Sequence, residues 1–100
     1  MPHYLLQVTY SREAWERMKT SPGAGVCDHM IRPVVERHGG PYHNGWLAFG
    51  EYDSVVIMEM TDNRAAAAVS IDLTLQGAAK NIKTTPLVPT EVAREALVSI

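Results

Sequence analysis

The segment Ser54–Met60, with the sequence SVVIMEM, constrains the fold of this chain more than any other. In an extended backbone its side chains alternate between two faces, and both faces are apolar. Val56 and Met58 share one face, and Val55 and Ile57 share the other. This pattern is typical of a strand inside a sheet that is covered on both sides. The sequence therefore predicts a central strand here.

Three further segments have the features of strands. Tyr4–Tyr10 alternates between an apolar and a semi-polar face, as a half-buried strand does. Tyr42–Phe49 has mixed alternation around Gly45, which favours an edge strand or a bulge. Ile82–Leu87 also alternates, and Pro86 confines it to an edge because proline has no backbone N–H for a second neighbour.

Helical periodicity fills the remaining segments. Ser11 and Asp62 are candidate N-caps, and Gly39 and Gly77 are candidate terminators. The predicted helices span residues 12–19, 26–38 and 63–76, and a terminal helix begins at Thr90. Trp15 and Met18 are the residues of the first helix expected to be buried, and Ala66, Val69 and Leu73 form the buried stripe of helix 63–76. Segment 21–25 either interrupts the helical pattern or starts a new helix, with Ser21 as N-cap and Pro22 at the first helical position. Pro33 predicts a kink or a local bulge near residue 29 because it crowds the preceding turn.

The predicted order, strand-helix-strand-strand-helix-strand with a helical tail, is the ferredoxin-like βαββαβ arrangement of α+β proteins. Both crossover helices cover one face of the sheet, so the other face is open. That face carries Leu5, Gln7 and Thr9 beside Val55 and Ile57. We expect a second copy to pack on it as a homodimer, burying about 800 Å² per partner.

Composition narrows the function classes. The 100 residues predict a single domain spanning 1–100, and the net charge of −2 argues against nucleic-acid binding. The lone Cys27 cannot form an internal disulfide, which favours a reducing compartment. The sequence has no signal-like start and no long apolar run. We therefore expect a cytoplasmic protein that does not bind membranes.

The stretch Phe49–Ile57, FGEYDSVVI, resembles the GYD domain family of small bacterial proteins. The resemblance extends over about the whole chain and includes a Trp-bearing first helix and an Ala-rich later helix. It implies a dimeric α+β barrel, and it specifies no reaction. The chain departs from the family at Pro33 and at Cys27-Asp28-His29, where titratable side chains replace ordinary surface residues.

Several side chains are candidates for chemistry. Tyr52 and Asp53 follow a glycine in a tight turn, where Tyr52 can donate a hydrogen bond and Asp53 can orient it or act as a base. His43 and His29 are candidates for proton transfer because imidazole titrates near neutral pH. The predicted ligand-binding walls are Trp15, Trp46 and Met58.

Structural roles compete with these functional ones. Asp53 can simply accept backbone donors of its turn, and His38 can meet the last carbonyls of its helix. Asp28 and Arg32, four residues apart, can form an ion pair. No two histidines have the three- or four-residue spacing of a helical ligand pair. We therefore expect no metal or other cofactor within one chain.

Two functions remain open at this point. The first is a cofactor-independent enzyme, such as an isomerase, cyclase or oxygenase, acting on an enolisable or aromatic small molecule. The alternative is a non-catalytic dimeric module that binds a small ligand, or that stabilises a partner through its sheet face or terminal helix. The sequence contains no catalytic triad or phosphate-binding loop that would select a reaction.

Overall fold

One antiparallel sheet organises the computed structural model, which describes the backbone of residues 1–20 and 26–100 and the side chains of residues 1–20 and 28–100. Within these residues the strands are β1 (His3–Tyr10), β2 (Tyr42–Leu47), β3 (Ser54–Glu59) and β4 (Ala79–Leu87). Their order is β2-β3-β1-β4. The predicted central position of β3 and the predicted edge positions of β2 and β4 are confirmed.

The helices are α1 (Arg12–Thr20), α2 (Val26–Met30), α3 (Arg32–Arg37), α4 (Asn63–Leu75) and α5 (Thr90–Val98). Both predicted N-caps are confirmed. The Ser11 hydroxyl accepts from the Ala14 N–H at 3.0 Å, and the Asp62 carboxylate accepts from the Ala65 N–H at 2.9 Å. The expectations for segment 21–25 and for the Cys27 side chain lie outside the described residues.

Pro33 divides the predicted helix 26–38 into two short helices instead of kinking one. The break is at Ile31, and Pro33 occupies the first turn of α3, where a missing N–H costs no helical hydrogen bond. The Ile31 carbonyl accepts from the N–H groups of Val34 and Val35, each at 3.0 Å. The predicted ion pair spans the break, with Arg32 Nε 3.5 Å from an Asp28 carboxylate oxygen.

The end of α3 confirms one expectation and corrects another. Gly39 follows the helix with φ of 91°, the left-handed conformation predicted for a terminating glycine. The His38 side chain does not meet the last carbonyls of α3. Its Nε2 lies 2.8 Å from Asp72 on α4, the helix that packs against α3.

The core lies between the sheet and the helices. Alternate residues of β1 and β3 are buried there, and α4 contributes its predicted stripe: Tyr4, Leu6, Val8, Val56, Met58, Ala66, Val69 and Leu73. The prediction for α1 was wrong at Trp15, which is 37% exposed, with its ring edge against Tyr10. The predicted burial of Met18 is confirmed, and Ala14 faces the sheet in place of Trp15, because residues four apart share one side of a helix.

The opposite face of the sheet has no helix over it among the described residues. The five side chains predicted there, at positions 5, 7, 9, 55 and 57, are all half-buried by their neighbours on the sheet. Helix α5 buries none of its residues. In the described ranges, 1–20 and 26–100, no helix has the length and apolar character needed to cross a membrane.

Candidate functional site on the open sheet face

His3, His43 and Glu59 meet at one end of the open face. They come from β1, β2 and β3, which are neighbours in the sheet. His3 and Glu59 stand directly opposite each other in the β1–β3 register. His3 Nε2 lies 3.8 Å from Glu59 Oε2, and His43 Nε2 is hydrogen-bonded to the same oxygen. Two imidazoles therefore converge on a single carboxylate oxygen.

A bulge in β2 positions His43. Tyr42 pairs with Met58 and Asn44 pairs with Ile57, so β2 advances by two residues where β3 advances by one. His43 is the additional residue, and bulges commonly redirect a side chain in this way. The sequence placed an irregularity near Gly45, and the structure places it at His43 instead.

The electrostatics favour an ionised carboxylate beside the two rings. Hydrogen bonding with His43, assisted by the nearby charge of His3, outweighs desolvation and holds the pKa of Glu59 below its ordinary value. The two imidazole rings stack at 5.4 Å between centroids, with their planes 10° apart. This arrangement keeps both rings turned toward Glu59.

Solvent and small molecules can reach this cluster. The side chains of His3 and His43 are 48% and 43% exposed, whereas that of Glu59 is 22% exposed. A cavity of about 290 Å³ adjoins His3, and its other walls are Leu87, Val88 and Pro89. The cluster thus combines polar groups with an apolar wall, the combination found in small-molecule sites.

The donor set allows two kinds of chemistry. An imidazole paired with a carboxylate can transfer a proton. Two imidazoles and a carboxylate are also ligands that transition metals accept. Their ligand atoms all lie within 4.8 Å of one another, and among the described residues they form the one such group of three.

Comparison with known families identifies the chain. The family model of the GYD domain matches residues 4–97. The chain belongs to the GYD domain family. No curated protein sequence matches this GYD domain.

Solved structures share the fold of the GYD domain at low sequence identity. FFRP-DM1 is 9% identical, with a TM-score of 0.56 over 88% of this chain and 100% of the other. The transcriptional regulator NMB0573 from Neisseria meningitidis, solved in complex with L-Met, is 12% identical, with a TM-score of 0.56 over 88% of this chain. The match spans 50% of that regulator. The hypothetical protein PHS023 from Pyrococcus horikoshii is 11% identical, with a TM-score of 0.52 over 89% of this chain and 92% of the other.

These likenesses concern the fold and not the chemistry, because sequence identity is so low. They agree with the α+β, ferredoxin-like class predicted from the order of strands and helices. The GYD domain is therefore a small α+β protein whose chemistry has to be argued from its own residues.

Tyr52 and Asp53 of the GYD domain lie far from the histidine cluster. They are in the β2–β3 loop, beside Tyr10 at the other end of β1. The Asp53 carboxylate accepts from the Tyr10 N–H at 2.9 Å. It therefore accepts from a backbone donor, as the structural role requires, but this donor belongs to β1 and not to the turn of Asp53. Strand β1 separates this end from His43 by about 20 Å. One chain therefore does not bring the predicted proton-transfer residues together.

The other predicted site residues are also dispersed. His29 is half-buried on α2, and Trp15 is on α1, on the helical side of the sheet. Met58 is fully buried in the core. Trp46, 51% exposed, pairs with Val55 and shares the open face with His43. Of the predicted set, His43 and Trp46 are the residues on that face.

Sequence reasoning missed His3 and Glu59 as partners of His43. Helical spacing has no bearing on residues from different strands, and the spacing of the histidines does not specify which residues of two strands pair. The useful signal was the strand register. Once the apolar alternation of β1 is aligned antiparallel to that of β3, His3 falls opposite Glu59.

Proposed function

We propose that this GYD domain is a cytoplasmic, homodimeric protein that binds a small organic ligand on its open sheet face. The observation that supports this most strongly is the cluster of His3, His43 and Glu59, which places polar groups at the end of a largely apolar surface. Binding sites commonly have a few convergent polar groups beside an apolar wall.

A second copy is the occupant we propose for the rest of that face. Leu5, Val55 and Ile57 form its centre and have no helix over them within the described residues. Trp46 and Leu87 extend the apolar surface toward both edges and are 51% and 37% exposed. A two-fold pairing would place this apolar centre against itself, which is how symmetric dimers satisfy such a surface. The ligand would then lie at the rim of the interface.

The ligand class follows from the groups that would contact it. Imidazoles of His3 and His43 can donate hydrogen bonds to an oxygen atom, and the cavity beside His3 has apolar walls at Leu87 and Pro89. A carboxylate, enol or phenol oxygen attached to a short apolar body fits this arrangement. This open pocket of about 290 Å³ is at the lower end of the volumes of small-molecule sites, so the ligand would be small and partly exposed.

A second candidate function is catalytic, and the contact between His43 and Glu59 favours it. In this function His43 acts as a general base toward an enolisable or aromatic substrate, Glu59 orients its ring, and Trp46 forms an apolar wall. The predicted catalytic residues Tyr52 and Asp53 take no part in it within the same chain. Binding remains the primary proposal because it requires only the convergent polar groups and the apolar wall, whereas catalysis also requires His43 to act as a base.

Native mass spectrometry tests the binding function. Protein purified without added metal should give the mass of two chains plus a residual mass that is lost on denaturation. The residual should be absent from His43→Gln and present in His29→Gln, which alters a histidine on α2, outside the site. Monomers, or a residual that both variants retain, would contradict the proposal.

An enzymatic probe separates the two candidates. Phenylpyruvate is both aromatic and enolisable, and its tautomerisation can be followed by ultraviolet absorbance. The catalytic candidate predicts acceleration by the wild type and by His29→Gln, and loss of that acceleration in His43→Gln. Equal rates for wild type and His43→Gln would exclude His43 as a base for this substrate class.

A further inference from the structure

We propose that His3, His43 and Glu59 bind a divalent transition metal of the zinc class. The three side chains offer two imidazole nitrogens and one carboxylate oxygen. This is a donor set that zinc accepts in tetrahedral sites with three protein ligands. Harder ions such as magnesium favour oxygen ligands, so the two imidazoles select against them.

The distances are close to those of a coordinated metal. Zinc lies about 2.0–2.2 Å from nitrogen and oxygen ligands, so neighbouring ligand atoms in a tetrahedral site are about 3.4 Å apart. His3 Nε2 is 3.8 Å from Glu59 Oε2, and all three ligand atoms lie within 4.8 Å of one another. Relative shifts of about 1 Å between the ligand atoms, from small changes in side-chain torsion, would bring them to this spacing.

Strands hold the three residues in place. His3 and Glu59 are fixed opposite each other by the β1–β3 register, and the bulge at His43 supplies the third ligand from β2. Sites on regular elements keep ligand geometry better than sites on loops do. The cluster is therefore partly organised before any metal arrives, and the ion would replace the hydrogen bond between His43 and Glu59.

The alternative is an ordinary histidine–carboxylate surface pair, and three observations weigh against it. Two stacked imidazoles approach the same oxygen, where a pair needs only one. No lysine or arginine among the described residues forms a salt bridge with Glu59. The cavity beside His3 also provides space for a fourth ligand, such as water or an oxygen of a bound molecule.

The metal proposal goes beyond the proposed function and does not rest on it. All three ligands belong to one chain, so neither the second copy nor the organic ligand is required. Zinc binding without a retained organic molecule would support the metal site and contradict the proposed function. A retained organic molecule without zinc binding would support the proposed function and contradict the metal site.

Titration calorimetry with zinc chloride tests the site. Tag-free protein is stripped with a chelator, dialysed and titrated, and one zinc ion per chain is expected. His3→Gln, His43→Gln and Glu59→Gln should each weaken binding at least about tenfold. Cobalt chloride provides a second readout, because tetrahedral Co²⁺ absorbs visible light strongly and the variants should lose that absorption.

The control variant is His29→Gln, which removes an imidazole elsewhere and should bind zinc as the wild type does. Thermal unfolding in chelator shows whether each variant folds, and if one does not, the other two still decide the result. Wild-type affinity in Glu59→Gln and His3→Gln would overturn the proposal. An equal loss of affinity in His29→Gln would overturn it as well.

Discussion

His38 with Asp72 and His43 with Glu59 are two histidine–carboxylate pairs in the same small protein, and their surroundings differ. The first pair joins α3 to α4, with His38 Nε2 2.8 Å from the Asp72 carboxylate. The second lies on the open sheet face, where the His3 ring approaches the same carboxylate.

The remaining partners of each carboxylate account for the difference. Asp72 also accepts from Arg37 at 2.9 Å and from Gln76 at 3.1 Å, so its oxygens are occupied by groups of the fold. The side-chain hydrogen bond and salt bridges described for the Glu59 carboxylate involve imidazoles alone. The same pair of residue types is therefore completed by an arginine and an amide at Asp72, and at Glu59 by a second imidazole, with the N-terminal ammonium acting on the carboxylate as a nearby charge.

The largest effect should come from testing whether a second copy covers the open sheet face next to His43 and Glu59. Ile57→Lys would bury a charge in the proposed interface and should weaken the dimer about a thousandfold, which corresponds to about 4 kcal/mol. Analytical ultracentrifugation measures this. Ile71→Lys, the same change on the exposed surface of α4, should leave the dimer intact. An Ile57→Lys dimer that persists at micromolar concentration would contradict the sheet-to-sheet interface.

Asp53 extends the comparison to a third carboxylate. Asp53→Ala removes the acceptor of the Tyr10 N–H and should lower the free energy of unfolding by about 2 kcal/mol in urea denaturation. Asp53→Asn should retain most of the stability, because an amide oxygen still accepts. Glu51→Ala, at an exposed position in the same loop, is the control. A stable Asp53→Ala would return Asp53 to the list of functional candidates.

The contribution of the His38–Asp72 pair to stability should depend on pH. Hydrogen bonding from His38, and then from Gln76, holds the pKa of Asp72 below its ordinary value. A carboxyl group whose pKa is lowered by folding stabilises the fold at pH values above its ordinary pKa. This contribution disappears as the pH falls through the lower pKa of the folded state. The thermal midpoint of Asp72→Asn should therefore be lower than that of the wild type at neutral pH and should converge with it below about pH 4. Parallel curves would show that Asp72 does not serve the fold in this way.

The smallest effect is expected at His3. Its side chain is half exposed, and its distance of 3.8 Å from Glu59 is too long for a hydrogen bond. In chelator, His3→Gln should change the free energy of unfolding by less than about 0.5 kcal/mol. Adding zinc should raise the thermal midpoint of the wild type more than that of the variant, because the variant binds zinc more weakly. A large loss of stability in chelator would mean that His3 serves the fold.

Much of the fold was predictable because it depends on local periodicity. The two-residue alternation located β1 and β3, and the glycine after α4 has the predicted positive φ, at 75°. The errors arose where side-chain size and packing decide the outcome. Trp15 has the position of a core residue in the sequence, yet the smaller Ala14 fits against the sheet and leaves the indole at the rim.

The candidate site was less predictable because it depends on contacts between distant parts of the chain. The residue type of His43 indicates proton transfer and does not indicate which residues surround it. Its partners became visible only with the β1–β3 register and with the bulge in β2, and neither is encoded in the spacing of the histidines. Asp53 shows the converse case, since its residue type suggests catalysis and its carboxylate accepts a backbone N–H from β1.

Anomalous diffraction from crystals grown with zinc, recorded at the zinc absorption edge, tests the central claim most directly. The account predicts a peak about 2.0–2.2 Å from His3 Nε2, His43 Nε2 and a Glu59 carboxylate oxygen, with a further ligand toward the cavity beside His3. No peak at this position, or a peak at His38 and Asp72 instead, would contradict it.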